Sequence, residues 1–194
     1  MREPLHQAKA ALRAANRALE RMKAARDIEE FEDAWQDYLG SLEKSWVKVE
    51  RSCQAYRNQF QPWQGKFARR RKKDPLLRYL KHARHADEHT IEEIIERVPG
   101  YRTLNPAYGK SWHIEHLEIR DGDMVSYSGD KPIVVQDIPD HVELRRFKES
   151  GTWHNPPTQH RDKALNRQDP ISVAELGLRF YTDFVEQAEK KFFT

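Results

Sequence analysis

Residues 28–58 read IEEFEDAWQDYLGSLEKSWVKVERSCQAYRN, and an apolar or aromatic side chain recurs at every third or fourth position. This period is typical of an amphipathic α-helix that buries one face. Asp27 precedes the stretch as a helix N-cap, and Glu29 and Glu30 place negative charge at the positive end of the helix dipole. We therefore expect one long helix with a buried stripe made of Phe31, Trp35, Tyr38, Leu42, Trp46, Val49, Cys53 and Tyr56.

Two further segments, one at each end of the sequence, have the pattern of amphipathic helices. Residues 4–25 are rich in Ala, Leu, Arg and Lys, which are strong helix formers, and they carry one apolar stripe. The last helix is predicted to begin at the capping box Ser172–Glu175 and to run to about Phe192.

A fourth helix is predicted between these segments, after a break in the helical pattern. Residues 59–73 contain a proline and a glycine and are predicted to interrupt the helices. Asp74 and Pro75 then form a start signal, a cap followed by a proline at the first helical position. The apolar stripe that follows predicts a helix to about Val98.

The hydrophobic period changes in the second half of the sequence. Four short segments rich in Val and Ile are separated by turn signals, and residues 149–170 show no period at all. We expect a mainly α fold, a bundle of about four helices, with a small antiparallel β-meander as an insertion. The predicted strands are residues 112–120, 124–128, 132–137 and 141–147. The predicted divisions are 1–110 for the bundle, 111–170 for the insertion and 171–194 for the closing helix.

The bulk composition indicates a folded, highly charged protein. Charged residues make up 34% of the chain and aromatic residues 10%, and disordered chains are poor in aromatic residues. Cys53 is the single cysteine, so an internal disulfide framework is excluded. We see neither a signal peptide nor an apolar run of the roughly 18–20 residues that span a bilayer. We expect a cytoplasmic protein with no membrane partner.

Basic residues are concentrated in one short run, although the formal net charge of the chain is only +3. Residues 66–73 read KFARRRKK. Such a run is either a solvated linker or a surface that contacts phosphate groups. In the second interpretation the expected partner is RNA, and the RNA-binding residues are Lys66, Arg69, Arg70, Arg71, Lys72 and Lys73.

Residues 84–89, RHADEH, carry the most distinctive group of side chains. On the predicted helix, Asp87 lies in the apolar stripe with Arg84 at its margin, whereas three histidines lie on the opposite face: His82, His85 and His89. Histidine can take and give a proton near neutral pH, and arginine offers a planar charged fork to phosphate. Together they suffice for RNA cleavage without a metal. Histidine takes the proton of a ribose 2′-OH, and arginine stabilises charge at phosphorus.

The pattern R-x-x-x-x-H on a helix, with a polar residue after the arginine, resembles the HEPN superfamily of helical-bundle ribonucleases. The resemblance implies that Arg84 and His89 are the catalytic pair and that His85 assists them. It also implies a four- or five-helix bundle that needs no cofactor or metal and acts as a toxin or phage-defence effector. A homodimer in which two motifs meet in one cleft is implied as well, with an antitoxin or regulatory protein as a further candidate partner.

The helix geometry gives a physical reason to expect that dimer. Positions five apart differ by about 140° around a helix, so Arg84 and His89 do not share a face. A second copy of the chain would complete the site, with the histidine face at the seam. Asp87 and His82 are assigned supporting roles, Asp87 because a carboxylate in an apolar stripe needs a donor such as Arg84.

Two alternatives to the ribonuclease remain open. The first is a metal site, because His85 and His89 have the i, i+4 spacing of two ligands and His82 could join them, with His113 and His116 as further candidates. The second is a binding module without chemistry, in which the helices and the Trp153 loop recognise a protein or nucleic-acid partner. Convergence of Arg84 and His89 on a concave cleft or a two-fold seam would favour the enzyme.

Overall fold

The structure is a computed structural model that describes residues 5–89, 94–165 and 169–194, with residues 87–89 described by their backbone alone. The described part of the chain contains five α-helices. They are α1 (His6–Ala24), α2 (Ile28–Ser52), α3 (Arg57–Lys73), α4 (Pro75–His89) and α5 (Pro170–Phe192). No helix among these residues combines the length and apolarity needed to cross a bilayer.

Helix α2 forms the centre of the helical core, as its sequence pattern predicts. Seven of the eight predicted stripe residues are buried, and only Tyr56, which lies beyond the helix, is exposed. Asp27 is the N-cap, and its Oδ1 accepts a hydrogen bond of 2.8 Å from the Glu30 amide. The Tyr38 hydroxyl donates a hydrogen bond of 2.6 Å to the Ala174 carbonyl, and this bond joins α2 to α5 inside the core.

The prediction of a break at residues 59–73 is wrong, because these residues form α3. Phe60, Trp63 and Phe67 pack against aromatic residues of α5, and the Trp63 and Phe184 ring centroids are 5.7 Å apart. Pro62 lies inside the helix, where it removes one backbone hydrogen bond. Burial of the three aromatic side chains outweighs that loss, since most helical stability in proteins comes from tertiary packing.

Helix α4 begins where it was predicted and ends earlier. Leu76, Leu80 and Ala83 are buried, as the stripe predicted. The predicted continuation to Val98 is wrong, because the chain forms strand β1 (Ile95–Val98) there. β-Branched residues favour strands, and the preceding Ile94 carbonyl accepts a hydrogen bond of 2.8 Å from the Arg145 amide. The predicted stripe residue Ile91 lies outside the described residues.

The strands form two-stranded sheets. The predicted fold class, mainly α with short antiparallel strands, is confirmed. Strand β1 pairs with β6, β2 with β5, β3 with β4, β7 with β8, and β9 with β10. The strands after β1 are β2 (Tyr101–Pro106), β3 (Ile114–Arg120), β4 (Asp123–Gly129), β5 (Ile133–Ile138), β6 (His141–Leu144), β7 (Phe147–Glu149), β8 (Thr152–His154), β9 (Gln159–His160) and β10 (Lys163–Ala164).

The chain divides into two compact units. Val98–His141 forms one, and the rest of the described chain forms the other. In the smaller unit, strands β3 and β4 form a hairpin that lies in sequence between β2 and β5. The Arg102 guanidinium binds both Asp137 and Asp123 and so links the hairpin to the outer pair. The domain boundaries at 110/111 and 170/171 stay predictions.

The single cysteine lies at the C-cap of α2. Cys53 is fully buried, and burial raises the pKa of its thiol to about 11. Its amide donates a hydrogen bond of 2.9 Å to the Val49 carbonyl. The side chain therefore behaves as a small apolar group of the core.

Two helical glycines should respond oppositely to the same substitution. A Cβ at Gly177 of α5 would lie 2.8 Å from Tyr38 Oη and closer still to Leu80 Cδ1, whereas a Cβ at Gly40 of α2 would meet nothing within 4 Å. Overpacking costs about 1–3 kcal/mol, and relief of helical glycine entropy gains about 0.5–1 kcal/mol. We expect Gly177→Ala to unfold at a lower urea concentration than Gly40→Ala. Its free energy of unfolding should be smaller by about 1–3 kcal/mol. Equal stability of the two variants would contradict this packing.

Candidate functional site

The start of α4 is fixed by a buried carboxylate. Asp74 Oδ1 accepts a hydrogen bond from the Leu77 amide (3.1 Å) and lies 3.0 Å from His160 Nδ1, while Oδ2 accepts 2.7 Å from the Arg161 amide. Asp74 and His160 are both buried. Burial alone raises the Asp74 pKa, but the hydrogen bonds from His160, Arg161 and Leu77 outweigh it and lower the pKa below its ordinary value. The predicted cap is confirmed, and it also anchors the β9–β10 turn.

A cavity of about 500 Å³, here the basic cavity, lies beside this anchor. Five basic side chains line it, four from the last two turns of α3 and one from the turn after β9: Lys66, Arg69, Arg70, Lys73 and Arg161. Asp74 and Asp162 are the two carboxylates in its lining. The cavity therefore carries an excess of positive charge and suits an anionic ligand.

The remaining two members of the predicted RNA-binding run point elsewhere. Arg71 is buried, its guanidinium binds the Glu43 carboxylate, and it lies 4.2 Å from the Trp46 ring centroid. This side chain stabilises the packing of α3 on α2. Lys72 is exposed and lines a different cavity. Successive side chains of the run point in directions about 100° apart around the helix. They therefore lie partly in the core and partly in two different cavities.

A second group of functional side chains, here the His–Glu cluster, consists of His82 on α4, Glu149 at the end of β7 and His154 at the end of β8. One potential ligand atom of each residue lies within 4.8 Å of the others. The His82 Nδ1 and Glu149 Oε2 atoms are 2.9 Å apart, and His154 Nε2 lies 3.7 Å from the same oxygen. The His82 and His154 rings stack with centroids 4.1 Å apart.

The His–Glu cluster opens onto a cavity of about 780 Å³, here the larger cavity. Its lining includes Lys72 and Arg78, two exposed cations, and the half-exposed ring of Trp153. Pro75, the first residue of α4, lines both the larger cavity and the basic cavity. Both cavities therefore border the start of the same helix.

Burial and neighbouring charges adjust the protonation of the cluster. The His154 pKa is lowered, first by burial and then by the charge of His82, so the imidazole is neutral near pH 7. Burial raises the Glu149 pKa, but the hydrogen bond from His82 and the charges of His82, His85 and His154 outweigh it and lower the pKa. The cluster thus presents a carboxylate together with at least one neutral imidazole.

Of the predicted catalytic residues, the structure describes the side chains of Arg84 and His85. Arg84 and His85 are half-buried on α4, and His82, predicted as a supporting residue, joins the His–Glu cluster. The side chains of Asp87 and His89 lie outside the described residues, so the convergence of Arg84 and His89 stays a prediction. His113 and His116, the further metal-ligand candidates, are exposed in the smaller unit.

Two members of the His–Glu cluster could not be identified from the sequence. Glu149 and His154 fall at the edge of the aperiodic segment 149–170, and 67 residues separate His82 from Glu149. The short hairpin β7–β8 brings them to α4, because Phe147 is fully buried and its ring packs 5.2 Å from that of Tyr79. Comparison of the chain with protein-family models, with curated proteins and with solved structures finds no match.

Removal of the anchoring carboxylate should change both stability and its pH dependence. Asp74→Asn removes the charge-assisted hydrogen bonds, and we expect a loss of about 2–4 kcal/mol in the free energy of unfolding at pH 7. A lowered carboxyl pKa contributes stability above about pH 4 that is lost as pH falls below it. The variant should therefore lose less stability than the parent between pH 6 and pH 3 in urea titrations.

The matched control for this substitution is Asp33→Asn, at an exposed position of α2. It should leave both the stability at pH 7 and the slope of stability with pH close to those of the parent. Parallel acid profiles for Asp74→Asn and the parent would contradict the role assigned to Asp74.

Proposed function

We propose that this protein binds RNA through the basic cavity and cleaves it without a metal, in the manner of the HEPN ribonucleases that its α4 motif resembles. One observation carries the proposal. The basic residues Lys66, Arg69, Arg70 and Lys73 and the facing Arg161 line one cavity directly beside the start of the motif helix. A polyanion held there would lie next to the helix that carries Arg84, His85 and His89.

The charge balance of the cavity supports an RNA backbone as its ligand. The Asp74 carboxylate accepts three hydrogen bonds. Arg161 forms an ion pair with Asp183, with 3.2 Å between Nη2 and Oδ2. The four α3 cations remain largely exposed on the surface. Such groups neutralise phosphates irrespective of base sequence.

The aromatic residues near the cavity do not add base recognition. Phe67 is buried, and the Trp63 ring is stacked on Phe184 of the core. Sequence-independent binding through phosphates is therefore the expected mode. An RNA substrate is also consistent with a cytoplasmic location.

The proposed chemistry follows the resemblance. His89 takes the proton from a ribose 2′-OH, whose oxygen attacks the adjacent phosphorus; the P–O5′ bond breaks, the leaving 5′-oxygen takes a proton from the His89 imidazolium, and a 2′,3′-cyclic phosphate remains. Arg84 stabilises charge at phosphorus and His85 orients the reacting groups, with Asp87 and His82 in support. Because Arg84 and His89 occupy different faces of α4, a homodimer would pair the arginine of one copy with the histidine of the other. Activity of this kind is harmful to the host, so an antitoxin or regulatory protein is a proposed partner.

Binding should depend on salt in proportion to the cations in the basic cavity. Arg69→Ala/Arg70→Ala should weaken binding of a single-stranded RNA about 10-fold or more and reduce the slope of log K against log salt by about 1.4, since each phosphate contact contributes about 0.7. Fluorescence anisotropy at several salt concentrations measures both values. Arg13→Ala/Arg17→Ala, which removes two exposed cations of α1, is the charge-matched control. Equal effects of the two double variants would contradict the assigned surface.

Cleavage should depend on His89 and not on a divalent ion. His89→Ala should reduce the rate of RNA digestion by about 100-fold or more, because general acid–base catalysis contributes about 10²–10⁴. Digestion by the parent should continue unchanged in EDTA. His116→Ala, at an exposed strand position, is the control variant.

Two outcomes of this assay would contradict the proposed chemistry. Loss of digestion in EDTA would contradict a metal-independent mechanism. RNA binding without digestion under any condition would identify the protein as a binding module. Circular dichroism of His89→Ala checks that the variant is folded.

A further inference from the structure

We propose that His82, Glu149 and His154 form a binding site for a divalent transition-metal ion, with Zn²⁺ as the ion that fits best. This inference rests on the geometry of the His–Glu cluster and on none of Arg84, His85 and His89, and it assigns His82 a ligand role in place of the supporting role proposed for it in RNA cleavage. The three residues come from three elements, α4, β7 and β8, so a bound ion would join the β7–β8 hairpin to the helix.

The distances in the cluster agree with a metal site. Ligand atoms that each lie about 2.0–2.2 Å from Zn²⁺ are about 3.3–3.6 Å apart in a tetrahedron. The separations in the cluster, 2.9 Å from Glu149 Oε2 to His82 Nδ1 and 3.7 Å from Glu149 Oε2 to His154 Nε2, lie just below and just above that range. Small side-chain movements would therefore bring all three ligands to one ion.

An unsatisfied nitrogen provides an independent reason to expect a ligand. His154 is only 9% exposed, and among the described residues its Nε2 has no hydrogen-bond partner although it points toward Glu149. A buried polar atom without a partner is costly, and a metal ion would satisfy it. The ring stacks on those of His82 and Phe147, whose centroids lie 4.1 Å and 5.2 Å from its own.

The donor types of the cluster also suit a transition-metal ion. Two imidazoles and one carboxylate select Zn²⁺ and related transition metals over Mg²⁺ and Ca²⁺, which prefer oxygen ligands.

The donor set is that of an open site. Three protein ligands leave at least one coordination position free, as in catalytic zinc sites, whereas structural sites have four. The free side would face the larger cavity, with Arg78 and Lys72 in its lining. Water or an anionic group is the expected occupant of that position.

The test is a titration of the full chain, without an affinity tag and stripped of metal with EDTA, with Zn²⁺ in an isothermal calorimeter. We expect one saturable site in the parent. His154→Ala should weaken it at least about 100-fold and Glu149→Gln at least about 10-fold, since even residues that merely orient ligands contribute about 10–100-fold to metal affinity. His116→Ala, an exposed histidine outside the cluster, should bind Zn²⁺ like the parent.

Two further measurements make the test independent of variant folding. His154→Ala removes a ring that packs on Phe147, so circular dichroism must show a folded protein; Glu149→Gln keeps the shape of a half-buried side chain and provides the second variant. Co²⁺ should give the parent a visible absorption band that Glu149→Gln lacks or shifts. Absence of saturable Zn²⁺ binding by the parent, or equal affinity in all the variants, would overturn the proposal.

Discussion

The carboxylate of Asp74 is the interaction on which the arrangement of α4 depends. It is buried at the junction of α3 and α4, where a charge is tolerated only because the Leu77 amide, the Arg161 amide and the His160 ring all bind it. By accepting from the Leu77 amide the carboxylate caps α4, whereas His160 of β9 and Arg161 of the following turn lie 86 and 87 residues further along the chain. The start of α4 and the β9–β10 turn are consequently fixed together, and with them the walls of the basic cavity.

The two cavities follow from that arrangement. The last residues of α3 turn about 100° per position, so the neighbours Lys72 and Lys73 line different cavities on either side of Pro75. One cavity carries fixed cations with little titratable chemistry. The other carries the two histidines and the glutamate. A cavity lined by cations and a cluster of two histidines and a glutamate thus both border α4.

The helices could be predicted from the sequence wherever the apolar period was unbroken. The stripe from Phe31 to Cys53 and the cap at Asp27 determined α2 because both signals are local. Helix α3 was missed because Pro62 and Gly65 obscure a pattern whose stabilisation comes from distant partners such as Phe184. The end of α4 was misplaced because Ile94 to Val98 suits either period, and pairing with β6 favours the strand.

The candidate site shows the same division. Local sequence patterns identified His82, the cap at Asp74 and the basic run. Folding of the β7–β8 hairpin and the β9–β10 turn brings Glu149, His154 and His160 to these residues. Contacts between residues so far apart in the chain leave no local pattern in the sequence.

The buried thiol at the end of α2 has a practical consequence. Cys53 is the chain's single cysteine, and it is both inaccessible and protonated in the native protein. A thiol reagent in the surrounding solution can react with it only while a local movement exposes the sulfur. The rate of that reaction therefore reports how often this part of the core opens, and the native sequence already carries the label site that such kinetics need.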